Sequence, residues 1–184
     1  MNTSHKTLPS PQNIHTLIFD FDGVFTDNKV TINEDGNESV TCSRGDGYAF
    51  NILRGYQQIY NLKIKIFILS TEPNPVVKMR AKKLKISCYN GESNKLNFVR
   101  NYLKLESKKL TGVIFLGNDL NDMALMREVG FAVAPSDAHP LIRKIADLVM
   151  PQNGGDDFIR SFIELWLGIN EMNQEKIDEL ISNC

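Results

Sequence analysis

Leu17-Ile18-Phe19 runs directly into Asp20-Phe21-Asp22-Gly23-Val24-Phe25-Thr26-Asp27, so an apolar segment that reads as a buried strand ends on two carboxylates. On an extended backbone, residues two apart face the same side. Asp20 and Asp22 therefore stand together, and Gly23 lets the chain turn sharply just after them. Crowded acids need a counter-charge. Magnesium suits them, because one or two carboxylates, waters and phosphate oxygens satisfy this hard cation. Taken alone, Asp-x-Asp at a strand end is equally the pattern of a solvated turn.

A second acidic pair breaks the tie. Gly117-Asn118-Asp119-Leu120-Asn121-Asp122 follows the apolar run Val113 to Leu116 and opens a helix. Between the two pairs, Ser70-Thr71 closes the apolar strand Ile64 to Leu69, and Lys95 lies near the start of the helix after Gly91. Asp-x-Asp, a strand-end Ser or Thr, a Lys and a late Asp, in that order, are the motifs of the haloacid dehalogenase superfamily. The chain resembles that superfamily from about Thr16 to Leu167.

Strands and helices alternate along the chain, which predicts an α/β, doubly wound, Rossmann-like parallel sheet with helices on both faces. The predicted strands are Thr16 to Phe21, Ile64 to Leu69, Ile86 to Tyr89, Val113 to Leu116, Phe131 to Val133 and Leu148-Val149. The predicted helices are Gly47 to Tyr60, Pro75 to Leu84, Ser93 to Leu103, Leu120 to Val129, Pro140 to Ile145 and Asp156 to Leu167. Asp46 and Ser93 read as helix caps, and Pro75 and Pro140 as first-turn prolines. Val30-Thr31-Ile32 and Glu38-Ser39-Val40, around Asn33 to Asn37, read as a β-hairpin inserted after the first strand. Residues 1–13 are polar, carry two prolines and are expected to be a flexible tail. The phosphatase-like domain is set at 14–168, with a helical tail at 169–184.

Charge is balanced, with 21 Lys and Arg against 22 Asp and Glu, so nothing suggests nucleic acid or an acidic membrane as partner. The one basic run, Lys78 to Lys85, reads either as a solvated helix face or as a contact for an anionic substrate. Cys42, Cys88 and Cys184 lie far apart without metal-ligand spacing, as reduced thiols do. No stretch approaches the roughly 18 apolar residues of a membrane helix, and no secretory pattern opens the chain. A cytoplasmic protein is expected.

The resemblance assigns roles. Asp20 is the expected nucleophile, forming an aspartyl-phosphate that splits one difficult displacement into two easier ones. No Ser or Cys sits beside a His in a recognisable arrangement, and His139 reads as helix-start structure. Asp22 would protonate the leaving alkoxide and then deprotonate water. The superfamily pattern places Mg2+ between the Asp20 side chain, the Asp22 backbone carbonyl and Asp119. That requires the strands before Asp20 and Asp119 to be neighbours, at the topological switch point. Lys95, Ser70 and backbone amides after Asp20, Gly23 among them, would bind the phosphoryl oxygens. Asn118 or Asp122 would orient Asp119 or a metal-bound water, while Asp122 also reads as a first-turn acid stabilising its helix.

The segments Asp27 to Gly47 and Ser70 to Lys95 are too short for a cap domain, so the chain resembles the capless branch. There a neighbour's hairpin covers the site within a homotetramer. Arg44-Gly45-Asp46-Gly47-Tyr48, Asn74-Pro75-Val76-Val77, Arg80-Ala81-Lys82-Lys83-Leu84 and Ala138-His139-Pro140 resemble the capless phosphatases of 2-keto-3-deoxy sugar acids. That group includes the phosphatases of 3-deoxy-D-manno-octulosonate 8-phosphate, from lipopolysaccharide synthesis, and of sialic-acid-type nonulosonate 9-phosphates. Octulosonate phosphatases typically carry Thr-Gly-Arg where this chain has Ser70-Thr71-Glu72, which favours a nonulosonate. Glu72 could accept hydrogen bonds from sugar hydroxyls, leaving Arg80 and Lys83, on one helix face, as candidates for the substrate carboxylate. The rivals are a phosphotransferase or mutase, and a noncatalytic assembly module like the C-terminal domain of animal sialic acid cytidylyltransferases. The latter predicts lost catalytic carboxylates, and all are present.

Overall fold

The computed structural model describes residues 6–184. Its centre is a six-stranded sheet formed by β1 (Thr16–Phe19), β4 (Lys65–Ser70), β5 (Ser87–Asn90), β6 (Val113–Leu116), β7 (Phe131–Ala134) and β8 (Leu148–Val149). The strand order is β5-β4-β1-β6-β7-β8, with every pairing parallel. The separate hairpin pairs β2 (Thr31–Ile32) with β3 (Glu38–Ser39).

Period-two alternation divides the core into two layers. Leu17, Phe19, Ile68, Ile114, Leu116 and Val133 face one side. There they meet α1 (Arg44–Ile59), α2 (Pro75–Leu84) and α6 (Phe158–Leu167). Ile18, Phe67, Leu69, Val113, Phe115 and Ala132 face the other. They are covered by α3 (Lys95–Lys104), α4 (Met123–Met126) and α5 (Pro140–Ile145). With helices on both faces, the strands read as unbroken apolar runs, which is why they stand out in the sequence.

Four differences from the sequence reading have physical causes. The helix expected over Leu120 to Val129 starts as a 3-10 turn, Leu120–Asp122, and its α-helical part is only Met123–Met126. The cap of α1 is Ser43, whose Oγ accepts the Asp46 N–H. Asp46 is instead drawn inward, accepting the Arg160 N–H at 2.9 Å. The cap of α3 is Asn94 rather than Ser93. Part of the expected N-terminal tail lies outside the described residues, but from Lys6 onward it is held in place. Leu8 packs on the core, the Pro9 carbonyl accepts Trp166 Nε1–H at 2.8 Å, and Lys6 pairs with Asp147 at 3.1 Å. At the other end α7 (Gln174–Ser182) lies on its own domain, with Leu180 buried against α1.

Candidate active site

The catalytic candidates meet where the chain reverses its winding. From β1 it moves outward through β4 to β5, then crosses back to β6 on the other flank of β1. Phe19 pairs with Leu116, and the Asp20 N–H donates to the Leu116 carbonyl at 2.9 Å. The loops carrying Asp20 and Asp119 therefore leave the sheet side by side, at the switch point that the superfamily resemblance implied.

Aromatic packing fixes the first loop. Phe21 and Phe25 are fully buried and stack at 5.7 Å, and Phe25 stacks on Phe50 at 5.8 Å. With Phe21 pointing into the core, Asp20 and Asp22 line one pocket of about 320 Å3 together with Asn28, Thr71, Asn118, Asp119, Leu120 and Asn121. Gly23 has φ 73°, and a Cβ there would come 1.9 Å from Asn118 Nδ2. Its amide donates to Thr26 Oγ1 at 3.2 Å, so it is not free for a phosphoryl oxygen. The expected phosphate contact of Gly23 is thus corrected: the residue shapes the loop.

Behind the pocket, Lys95 is buried and lies 2.7 Å from Asp20 Oδ1 and 2.6 Å from Asp122 Oδ1. Burial disfavours its charge, but the two carboxylates more than offset this and hold its pKa above the ordinary lysine value. One ammonium shared by two acids leaves excess negative charge. Burial and Asp122 accordingly push the Asp20 carboxyl upward, against the pull of Lys95. Asp22 is raised by burial, then by Glu72 and Glu38, against Lys95.

The shared duty of Asn118 and Asp122 resolves into two parts. Asp122 Oδ2 accepts the amides of Asn118 at 2.9 Å and Asp119 at 3.3 Å, so one carboxylate positions both Lys95 and the Asp119 loop. The Asn118 carbonyl accepts the His139 N–H at 2.9 Å, and His139 Nδ1 accepts the Leu141 N–H, the structural role expected of this histidine. Asn118 Oδ1 is buried without a partner and belongs to the pocket lining. That orphaned acceptor, beside two carboxylates, fits a small oxygen-seeking cation. The described residues offer no group of three or more His, Cys, Asp or Glu side chains, so a cation here would rest on Asp20, Asp119 and the Asp22 carbonyl, with waters and phosphate completing its shell.

Ser70 is buried at the end of β4, its Oγ accepting the Glu72 N–H at 3.0 Å, which leaves the hydroxyl proton to donate. Glu72 Oε1 accepts the Asn74 N–H at 3.0 Å, and Asn74 Nδ2 reaches Glu38 of the hairpin at 2.7 Å. Arg80 and Lys83 are not gathered here. They line a separate pocket between α1 and α2, where an Arg80 Nη donates to the Ser43 carbonyl at 2.7 Å. Helical spacing places them on one face, which within one chain does not line the Asp20 pocket. Sequence reasoning missed Asn28, Thr71 and Asn121. Asn121 Nδ2 donates to Thr71 Oγ1 at 3.2 Å, and the only signal for the pair was adjacency to motif residues.

Comparison with known proteins points the same way. The sequence pattern of the haloacid dehalogenase-like hydrolases matches residues 68–160. The 3-deoxy-D-manno-octulosonate 8-phosphate phosphatase KdsC of Escherichia coli K12 is 32% identical over 177 residues, 96% of this chain and 89% of that one. The Yersinia pestis phosphatase of the same name superposes with a TM-score of 0.77 at 31% identity, covering 88% of this chain and 84% of that one. Its Moraxella catarrhalis counterpart, solved with magnesium, phosphate and 3-deoxy-D-manno-octulosonate, superposes with a TM-score of 0.79 at 25% identity, covering 94% of each chain.

Proposed function

The chain belongs to the haloacid dehalogenase-like hydrolases and is a phosphatase, and on that premise we propose that it removes the terminal phosphate of a 2-keto-3-deoxy sugar acid, with magnesium, through an aspartyl-phosphate on Asp20. The observation that carries this reading is the convergence of Asp20, Asp22 and Asp119 on one pocket with Lys95 buried behind them. Magnesium, held by Asp20, Asp119 and the Asp22 carbonyl, would neutralise charge on the phosphoryl oxygens.

The remaining work falls to the chain's own groups. Asp20 attacks phosphorus while Lys95 offsets the charge of carboxylate and phosphate, and the Ser70 hydroxyl donates to a phosphoryl oxygen. Asp22 gives its proton to the departing alkoxide and then takes one from the hydrolytic water. Aromatic packing behind the loop supplies rigidity, so that positioning is settled before substrate arrives.

Glu72 decides our choice among sugar acids. It follows Thr71, which lines the Asp20 pocket, and its charge helps to raise the Asp22 carboxyl. An acid accepts a hydrogen bond from the amide N–H that an N-acylated, sialic-acid-type nonulosonate carries and the octulosonate lacks, which favours the nonulosonate 9-phosphate. The second reading, 3-deoxy-D-manno-octulosonate 8-phosphate, is favoured by the relatives named above. Phosphate release from the two compounds, with an aryl phosphate as reference, tests both. A clear preference for one selects it, and equal turnover of all three would remove both substrate assignments.

A further inference from the structure

Four residues that line the Asp20 pocket have no part in the chemistry described above: Asn28, Thr71, Leu120 and Asn121. None carries a charge. Thr71 Oγ1 accepts from Asn121 Nδ2 at 3.2 Å, which ties the loop after β4 to the turn after β6 and leaves the Thr71 hydroxyl proton and Asn121 Oδ1 without a partner among the described residues. Asn28 arrives from the loop after β1. Its N–H donates to Thr26 Oγ1 at 3.2 Å, as the Gly23 N–H does, so one buried hydroxyl fixes both ends of that turn. The turn is also clamped from behind, where the Gly155 N–H donates to the Val24 carbonyl at 3.0 Å. The Asn28 side-chain amide itself makes no hydrogen bond among the described residues, and the next residue, Lys29, pairs with Asp27 at 3.1 Å.

Asn28 has φ 62°, a left-handed conformation that asparagine tolerates and glycine adopts freely. Glycine would build the same turn, so the loop does not need the amide. A side chain carried at such a position, on a rigid backbone in the wall of an active site, points to a role toward the substrate. With its neighbours it offers Asn28 Nδ2 and the Thr71 hydroxyl as donors and the oxygens of Asn28 and Asn121 as acceptors. Hydroxyls both donate and accept, so adjacent hydroxyls satisfy this mixed set, whereas an alkyl or aryl group would strip it of water and leave it unpaired. We propose that Asn28, together with the Thr71–Asn121 pair, determines specificity by selecting phosphate esters whose leaving group carries free hydroxyls on the carbons next to the ester carbon. This rests on the reading of the Asp20 pocket as the place of ester cleavage, and it holds for either sugar acid considered above, since both carry such hydroxyls.

The test compares the terminal phosphate ester of glycerol with propyl phosphate, which lacks its two hydroxyls, as competitive inhibitors of aryl phosphate turnover by the full-length, magnesium-loaded protein. Wild type should hold the glycerol ester about tenfold more tightly, as expected of two neutral hydrogen bonds. Asn28→Gly, which suits φ 62° and deletes only the side chain, should fold as wild type does and lose about threefold or more of that preference. Asn121→Ala should lower it as well, because Thr71 then loses its partner. Asn61→Gly, at a second left-handed asparagine (φ 49°) that does not line the pocket, should keep the full preference. Calorimetric titration of both esters into the Asp20→Asn protein reads the same ratio without turnover. Equal affinity for the two esters in wild type, full preference in both Asn28→Gly and Asn121→Ala, or an equal loss in Asn61→Gly would each overturn the proposal. Failure of the underlying reading is distinguishable, because it would show as aryl phosphate turnover retained by Asp20→Asn.

Discussion

Lys95 Nζ lies 2.7 Å from Asp20 Oδ1, and both groups are buried. With Asp122 on its other side, the lysine bridges two carboxylates, so its removal leaves buried charge unpaired. Lys95→Met should cost about 3–5 kcal/mol of stability, read as a lower urea midpoint, and should reduce turnover at least a hundredfold. A variant with wild-type stability would show that the acids do not depend on Lys95.

Asp20→Asn should abolish turnover, because an amide cannot form the acyl phosphate. Asp22→Asn should fold normally and lose proton transfer, with the greatest loss on poor leaving groups such as sugar alkoxides. Chelation of magnesium should stop both half-reactions. Retention of more than about a hundredth of wild-type turnover by Asp20→Asn would exceed what loss of the nucleophile permits and would assign the attack elsewhere.

Gly23→Ala places a methyl group where Asn118 Nδ2 now lies, at a φ of 73° that side chains rarely adopt. The expected penalty is about 1–3 kcal/mol, with turnover falling further than stability because the displaced Asn118 belongs to the loop that carries Asp119. Unfolding and turnover measured on one preparation separate the two effects, and unchanged turnover would show that the Asn118 contact is not needed for catalysis.

How far the sequence could be read depended on whether a feature was local. β1 and β6 were legible because both faces are buried, whereas the neighbouring placement of Asp20 and Asp119 was implied by the superfamily resemblance and is met by the β1–β6 pairing. Pro75–Leu84 was legible at both ends because Asn74 accepts the Val76 N–H and proline takes the first position. What spacing could not supply was tertiary. Asp46 looked like a cap, yet its partner is the Arg160 N–H, distant in sequence. Arg80 and Lys83 share a helix face as spacing required, but spacing does not say which neighbour that face meets, and α1 meets it.

Asp46 gives a pH prediction that is independent of the catalytic centre. Burial pushes its carboxyl up to about 6 against the model-peptide value of 3.8, with Asp157 adding to the effect and the Arg160 and Ile159 amides opposing it. A raised folded-state pKa means that this group's stabilising contribution is fully present below the unfolded value and is lost as pH rises through about 6. Asp46→Asn keeps a carbonyl to accept the Arg160 N–H and removes the titration. Its stability relative to wild type should improve by about 1–3 kcal/mol between pH 4 and pH 8. Parallel urea-midpoint profiles for the two proteins over that range would exclude Asp46 as the titrating group.

The hairpin yields the assembly prediction. Val30, just before β2, and Ile32, within it, are 50% and 60% exposed, and among the described residues the two-residue strands β2 and β3 pair only with each other. An isolated two-stranded ribbon is marginal in water, so these side chains call for a partner surface, and further copies of the same hairpin provide one. The hairpin is already tied to the segment after β4 through Glu38 and Asn74, whose N–H donates to Glu72. We therefore predict a homotetramer in which hairpins associate and each approaches a neighbour's pocket. Sedimentation at working concentration should show four chains, and Val30→Asp with Ile32→Asp should dissociate them. The dissociated protein should keep activity on small aryl phosphates and lose preference for the sugar phosphate, because Asp20, Asp22, Lys95 and Asp119 belong to one chain while the cover does not. A monomer turning over the sugar phosphate at the full rate would remove the shared site.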